Sequence, residues 1–154
     1  MRTVDARVEA LYRGQGERMW RSLLAYSGDP DVASDALAEA FTQALRRGDA
    51  IRDLAAWVWI ASFRIADGEL KHRQMLATVA VPELGYYMDD PVPHLIAALA
   101  EISPNQRLAV VLHDYADRPT DEIARILGIT RPTVHVHLST GRKRLRQLLE
   151  QTDE

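Results

Sequence analysis

The sequence predicts an all-α protein built as two small helical domains joined by a linker, the second domain a helix-turn-helix. Three observations carry that reading. Apolar residues recur at helical spacing in both halves, most clearly at Ala33, Ala36, Leu37, Ala40, Phe41, Ala44 and Leu45. Between the halves, Gln74 to Pro93 has no helical period. It holds Pro82, Gly85, Pro91 and Pro93, and three acids, Glu83, Asp89 and Asp90, with no Lys or Arg among its residues. Thr120 to Leu138 then meets the steric requirements of a helix-turn-helix at fixed offsets. The expected division is residues 1–73, a linker at 74–93, and residues 94–154.

The first domain opens with Val4, Val8, Leu11 and Tyr12, then Met19, Leu23 and Tyr26. Gly14 and Gly16 between these sets predict a break or kink. Ser27-Gly28-Asp29-Pro30 reads as a stop and a start. Gly28 ends one helix, Asp29 caps the next, and Pro30 suits its first turn. The helix that follows buries the alanine-rich stripe and turns Asp35, Glu39, Gln43, Arg46 and Arg47 outward, with Gly48 placed to cap its end. A third helix from Leu54 to Arg73 is apolar on two sides. Leu54, Trp57, Val58, Ala61, Ile65 and Gly68 share one side, whereas Trp59, Phe63 and Ala66 lie elsewhere. Two neighbouring helices could bury both sides, or some aromatics could be left for a partner.

In the second domain, Leu95, Ile96, Leu99 and Ile102 predict a short helix. Ser103-Pro104-Asn105-Gln106 reads as a capping box, and Leu108, Val111, Leu112 and Tyr115 form the stripe behind it. The helix-turn-helix follows. Ala124 is the small residue where the helices nearly touch, Gly128 supplies a left-handed turn, and Val134 packs back from the second helix. Thr120 and Thr130 are each placed to cap a helix start. The second helix, from near Arg131 to about Glu150, buries Val134, Leu138, Gly141, Leu145 and Leu148. Its exposed sides hold Arg131, Thr133, His135, Arg142, Lys143, Arg144 and Arg146, and no acid stands between Arg131 and Arg146. Such a helix can enter a major groove, its N-terminal residues reading base edges and its basic half meeting phosphates. Thr133 to Leu138 also alternates like a strand, which would pair His135 with His137 as metal ligands. The helical signals on both sides favour the helix, on which those two imidazoles point apart. His72, His94 and His113 are isolated.

Composition bounds the function. The chain has 154 residues, 47% of them hydrophobic and 27% charged, so a packed core is expected. It has no cysteine, which excludes disulfides, a thiol nucleophile and Cys-ligated zinc. No run approaches a membrane span and no signal-peptide core is present, so a cytoplasmic protein without membrane insertion is expected. The net charge of −3 disfavours coating nucleic acid by bulk charge, so any such contact must come from local clusters. There is no Gly-rich phosphate loop, nucleophile elbow or ligand cluster, so neither an enzyme nor a cofactor or metal site is expected.

At this point the sequence resembles the extracytoplasmic-function (ECF) sigma factors of bacterial RNA polymerase. Ser103-Pro104-Asn105-Gln106-Arg107, Asp121-Glu122-Ile123-Ala124, Leu127-Gly128-Ile129-Thr130 and Thr133 through Leu145 look like sigma domain 4, the reader of the minus-thirty-five element. Leu11-Tyr12 through Pro30 and Ala33 through Phe41 look like the core-binding part of sigma domain 2. Ala56-Trp57-Val58-Trp59 with Phe63 through Leu70 looks like its minus-ten part, in a form familiar from actinobacterial members. The resemblance implies a promoter-specificity subunit whose partners are bacterial core RNA polymerase, promoter DNA and an anti-sigma factor. It implies polymerase contacts by Asp35, Glu39 and Gln43, and minus-ten contacts by Trp59, Phe63, Arg64 and Lys71 with the loop from Gly48 to Asp53. At the minus-thirty-five element it implies Thr120, Arg131, Thr133, His135, Arg142, Lys143 and Arg144.

The chain departs from the family pattern in three places. His135 stands where Lys or Arg is common, Phe63-Arg64 lies near the place of a usual Arg-Asn pair, and only Lys71-His72-Arg73 remains of a basic run. Weak DNA binding by the free protein is therefore expected. Two other readings compete with a sigma factor. One is a stand-alone helix-turn-helix regulator, which would favour a palindromic site. The other is a degenerate sigma-like module that binds proteins without reading DNA.

Overall fold

The computed structural model describes residues 2–76 and 91–152. Among them every regular element is helical, and the chain divides into two compact units, Met1–Val79 and Ala80–Glu154. The expected linker falls mostly on residues 77–90, which lie outside the described residues. Its first three residues, 74–76, continue a helix and its last three, 91–93, begin one.

The first unit is a three-helix body of α1 (Arg2–Ser27), α2 (Pro30–Arg47) and α3 (Leu54–Leu76), with a short 3₁₀ turn at Gly48–Ala50. The predicted break at Gly14 and Gly16 does not occur, because α1 runs unbroken and packs on both other helices. Gly16 is buried, and the Tyr12 ring lies 3.3 Å from where a β-carbon would sit. The stop and start behave as read. Gly28 is left-handed at φ 69°, and the Asp29 carboxylate accepts hydrogen bonds from the backbone N–H groups of Asp31 and Val32. Small residues at Ala33, Ala36, Ala40 and Ala44 let α2 approach its neighbours closely, whereas Leu45 is 47% exposed rather than buried. The core is aromatic at its centre. The Trp59 and Phe63 rings stack with centroids 6.2 Å apart, and Tyr26 meets Phe63 at 5.7 Å. Buried polar atoms find partners there. The Trp59 indole N–H donates to Gln15 Oε1 at 2.9 Å, and the Tyr26 hydroxyl donates to Asp67 Oδ1 at 2.9 Å.

The second unit holds α4 (Pro91–Glu101), α5 (Pro104–Val110), α6 (Thr120–Leu127) and α7 (Arg131–Thr152). Ser103 and Gln106 form the capping box reciprocally at 3.2 Å in both directions. The Arg107 Nε donates to the Leu99 carbonyl at 3.0 Å, closing the end of α4. Beyond Val110 the helix widens into a π turn at Val111–Tyr115. That widening shifts the helical register, so Val111 and Leu112 stay in the core while Tyr115 swings outward to 43% exposure. α5 crosses α7 at Gly141, where an added β-carbon would lie 3.1 Å from Val110 Cγ2 and 3.2 Å from Gln106 Cβ. The Arg118 guanidinium holds the buried Glu122 carboxylate, with Nε to Oε2 at 2.8 Å, and so ties the turn before α6 to α6 itself.

Candidate nucleic-acid interface

The helix-turn-helix is formed by α6, Gly128 and α7. Gly128 is left-handed at φ 68° and its N–H returns to the Ala124 carbonyl. Ile123 and Val134 are fully buried between the two helices. Thr130 begins α7 as expected, its hydroxyl accepting from the Thr133 N–H at 3.4 Å. Thr120 is not a cap. Pro119 occupies that position with an extended backbone and no side-chain cap, which leaves Thr120 inside the first turn of α6 and half-buried. Residues 133–138 are helical, so His135 and His137 do not pair as they would on a strand. No metal-holding group of His, Cys, Asp or Glu occurs among the described residues.

Around α7 the side chains sort by their angle from the buried line of Val134, Leu138, Gly141 and Leu145. Arg131, His135, Lys143 and Arg144 are exposed. Thr133 is half-buried and its hydroxyl lies 2.8 Å from that of Thr130, so one of the two donates to the other. Arg142 is exposed but engaged within the unit. Its Nε donates to Asp114 Oδ2 at 2.8 Å, its Nη2 donates to Asp114 Oδ1, and His113 Nδ1 lies 3.1 Å from the same Nη2. The Arg142 hydrogen bonds hold the Asp114 carboxyl below the usual carboxylate range, and Asp114 raises Arg142 in turn. Directly opposite the buried line stand Pro132, Val136, Ser139, Thr140 and Lys143, all exposed.

The first unit corrects the aromatic assignments. Trp59 and Phe63 are both 0% exposed, so neither ring is open to an unpaired base. Of the two apolar sides of α3, the one with Ala56, Trp59, Ser62, Phe63 and Ala66 packs into the unit, and Val58 from the other side is buried with it, while Trp57, Ala61 and Ile65 are half-buried and Gly68 is exposed. On α3 the partly open aromatic is Trp57, with the Arg47 guanidinium 5.4 Å above its ring. Arg64 and Lys71 follow Trp57 on the same face at intervals of seven residues, both exposed, and Lys71 Nζ pairs with Asp67 Oδ2 at 2.8 Å. A charge two turns beyond Trp57 is the signal that marks this face as the wet one. On α2, Asp35 and Glu39 are exposed and Gln43 is half-buried, its Nε2 donating to Glu39 Oε1 at 3.0 Å. Asp35 and Glu39 border a cleft of about 420 Å³ between α2 and α3, floored by Val32, Ala36 and Ile65 and flanked by Glu69.

Comparison with known proteins gives a consistent picture. Residues 94–145 match the family described as sigma-70, region 4. An ECF RNA polymerase sigma factor of Mycobacterium tuberculosis, SigL, is 26% identical over 160 residues, spanning 95% of this chain and 90% of that protein. Among solved structures, the sigma factor RpoE in complex with the anti-sigma factor NepR from Bartonella quintana has a TM-score of 0.73 at 20% identity. It covers 92% of this chain and 98% of that one. CnrH in complex with the cytosolic domain of CnrY has a TM-score of 0.72 at 17% identity, covering 96% and 90%. At these identities the solved structures establish the fold.

Proposed function

We infer that the chain, a member of the extracytoplasmic-function group of sigma factors, is the promoter-specificity subunit of RNA polymerase: it directs core polymerase to specific promoters and helps to initiate transcription. The observation that carries this reading is the coincidence of the region 4 match with the helix-turn-helix, whose second helix turns cations and small side chains outward and no acid between Arg131 and Arg146.

In this reading α7 lies in the major groove of the minus-thirty-five element. Arg131 and His135 meet base edges and Lys143 and Arg144 meet phosphates. Arg142, held by Asp114, orients α7 on its own unit. The minus-ten strand is met by Trp57, with Arg47, Arg64 and Lys71 around it. A half-open indole stacks an unpaired base, and the cations follow the backbone. Trp59 and Phe63 support that surface from inside. Asp35, Glu39 and Gln43 face core polymerase from α2. RpoE and CnrH are each recorded with a bound protein, and an anti-sigma factor is the corresponding partner here. The chain itself performs no catalysis, and it works in the cytoplasm beside the polymerase. Among the described residues no helix is long and apolar enough to cross a membrane.

Co-purification with core RNA polymerase, followed by run-off transcription from genomic DNA, tests the reading. Start sites preceded by two unlike elements are expected. A single palindromic site bound without polymerase would point to a stand-alone regulator instead. Failure to associate with core polymerase would overturn the sigma-factor assignment.

A further inference from the structure

We propose that Val136 is a specificity-determining residue that reads the 5-methyl group of a thymine in the upstream promoter element. The inference rests on the groove-binding role of α7 given above. Val136 is 61% exposed, the most open of the large apolar side chains among the described residues. It lies in the second turn of α7, the part of a recognition helix that reaches base edges. It stands on the line that points straight away from the packed side of the helix, with Pro132 one turn before it and Ser139 and Thr140 one turn after.

The surroundings decide what Val136 can meet. Its neighbours on that line are small or polar, so no broad apolar patch forms there of the kind that docks a protein. Cations flank it, with Arg131 at the start of the helix and Lys143 two turns beyond, so the surface as a whole complements a polyanion. Thr133 is half-buried and its hydroxyl is hydrogen-bonded to that of Thr130, which leaves Arg131, Pro132, His135 and Val136 as the exposed side chains of the first two turns. Arg131 and His135 can donate hydrogen bonds to guanine, but Val136 has no donor or acceptor to offer. In the major groove of unmodified DNA, the thymine methyl is the one apolar group on a base edge. A branched aliphatic side chain at this place therefore selects thymine over cytosine by contact with that methyl, and gains little from uracil.

The test uses holoenzyme assembled from the full chain and core polymerase. Duplexes are first selected from a pool with a randomised segment, and each thymine of the winning sequence is then replaced singly by deoxyuridine. This removes the methyl and keeps the pairing. At one thymine of the upstream element the uracil duplex is expected to bind about four-fold more weakly, the worth of one buried methyl. Val136→Ala holoenzyme is expected to bind both forms alike, at the weaker level. Because the side chain is exposed, the substitution leaves the core intact. Wild-type holoenzyme indifferent to every replacement overturns the inference, as does Val136→Ala holoenzyme that keeps its methyl sensitivity. Both results leave the sigma-factor reading standing, since a sequence will have been selected. Selection of no sequence beyond that seen with core polymerase alone overturns the promoter-reading role, and this inference with it.

Discussion

Trp57 and Trp59 stand about 200° apart around α3, and that angle separates their roles. Trp59 is sealed between α1 and α2 with its indole N–H held by Gln15, whereas Trp57 lies at the surface under Arg47. Trp59→Ala is expected to destabilise the first unit by about 3–5 kcal/mol, seen as a lower thermal midpoint. Trp57→Ala is expected to leave that midpoint nearly unchanged and to reduce promoter opening, measured by permanganate reactivity of unpaired thymines. At the other end of the chain, Asp114 gives a pH signature. Its folded carboxyl titrates below the ordinary range because Arg142 hydrogen-bonds to it, so the pair contributes above that range. The contribution is lost as pH falls through the depressed value. Both side chains are more than a third exposed, so the share is small. Asp114→Asn is expected to lower the melting temperature slightly at neutral pH, with the gap from wild type closing as the pH falls below the ordinary carboxylate range. A gap that persists in acid would mean the pair does not act through its charge.

Among the elements, the crossing of α5 and α7 is the most demanding. A β-carbon at Gly141 would press on Val110 and Gln106 more tightly than an ordinary contact, and α7 carries the exposed cations of the candidate interface. Gly141→Ala is expected to cost up to about 2 kcal/mol of stability, read by denaturant unfolding, as the crowding of α5 outweighs the gain of about 1 kcal/mol that alanine has over glycine inside a helix. The elements most legible in the sequence were those specified by local chemistry. Asp29 with Pro30, Ser103 with Gln106, and Gly128 with Ala124 each place a boundary through side-chain or backbone hydrogen bonds within a few residues. Features set by packing at a distance were harder to read. Glycines at 14 and 16 weaken an isolated helix, but contacts with α2 and α3 keep α1 continuous. The π turn at Val111–Tyr115 moves Tyr115 out of a stripe that a uniform period puts inside. Periodicity alone does not choose between the two apolar faces of α3, whereas Arg64, two turns after Trp57, marks the wet one. In the candidate site the cations of α7 were legible, but the Asp114 clasp on Arg142 depends on a contact across twenty-eight residues. Val136 was hidden by its lack of charge.

As a whole, the molecule carries two cores. One is centred on Trp59, Phe63, Tyr26 and Met19, the other on Leu108, Leu112, Ile123, Val134 and Leu138. A core of its own is the requirement for autonomous folding. A fragment of residues 91–152 is therefore expected to be helical by circular dichroism and to melt cooperatively, and a non-cooperative, featureless melt would contradict this. The distribution of indoles over these two bodies has a spectroscopic consequence. The sequence has three tryptophans, and Trp20, Trp57 and Trp59 all lie on α1 and α3. Intrinsic emission excited at the red edge of absorption therefore reports on the first body alone, with Trp59 as its dry, blue-shifted component. The second is dark at that wavelength. Fluorescence and ellipticity recorded on one unlabelled sample would assign each melting step to its own half of the chain.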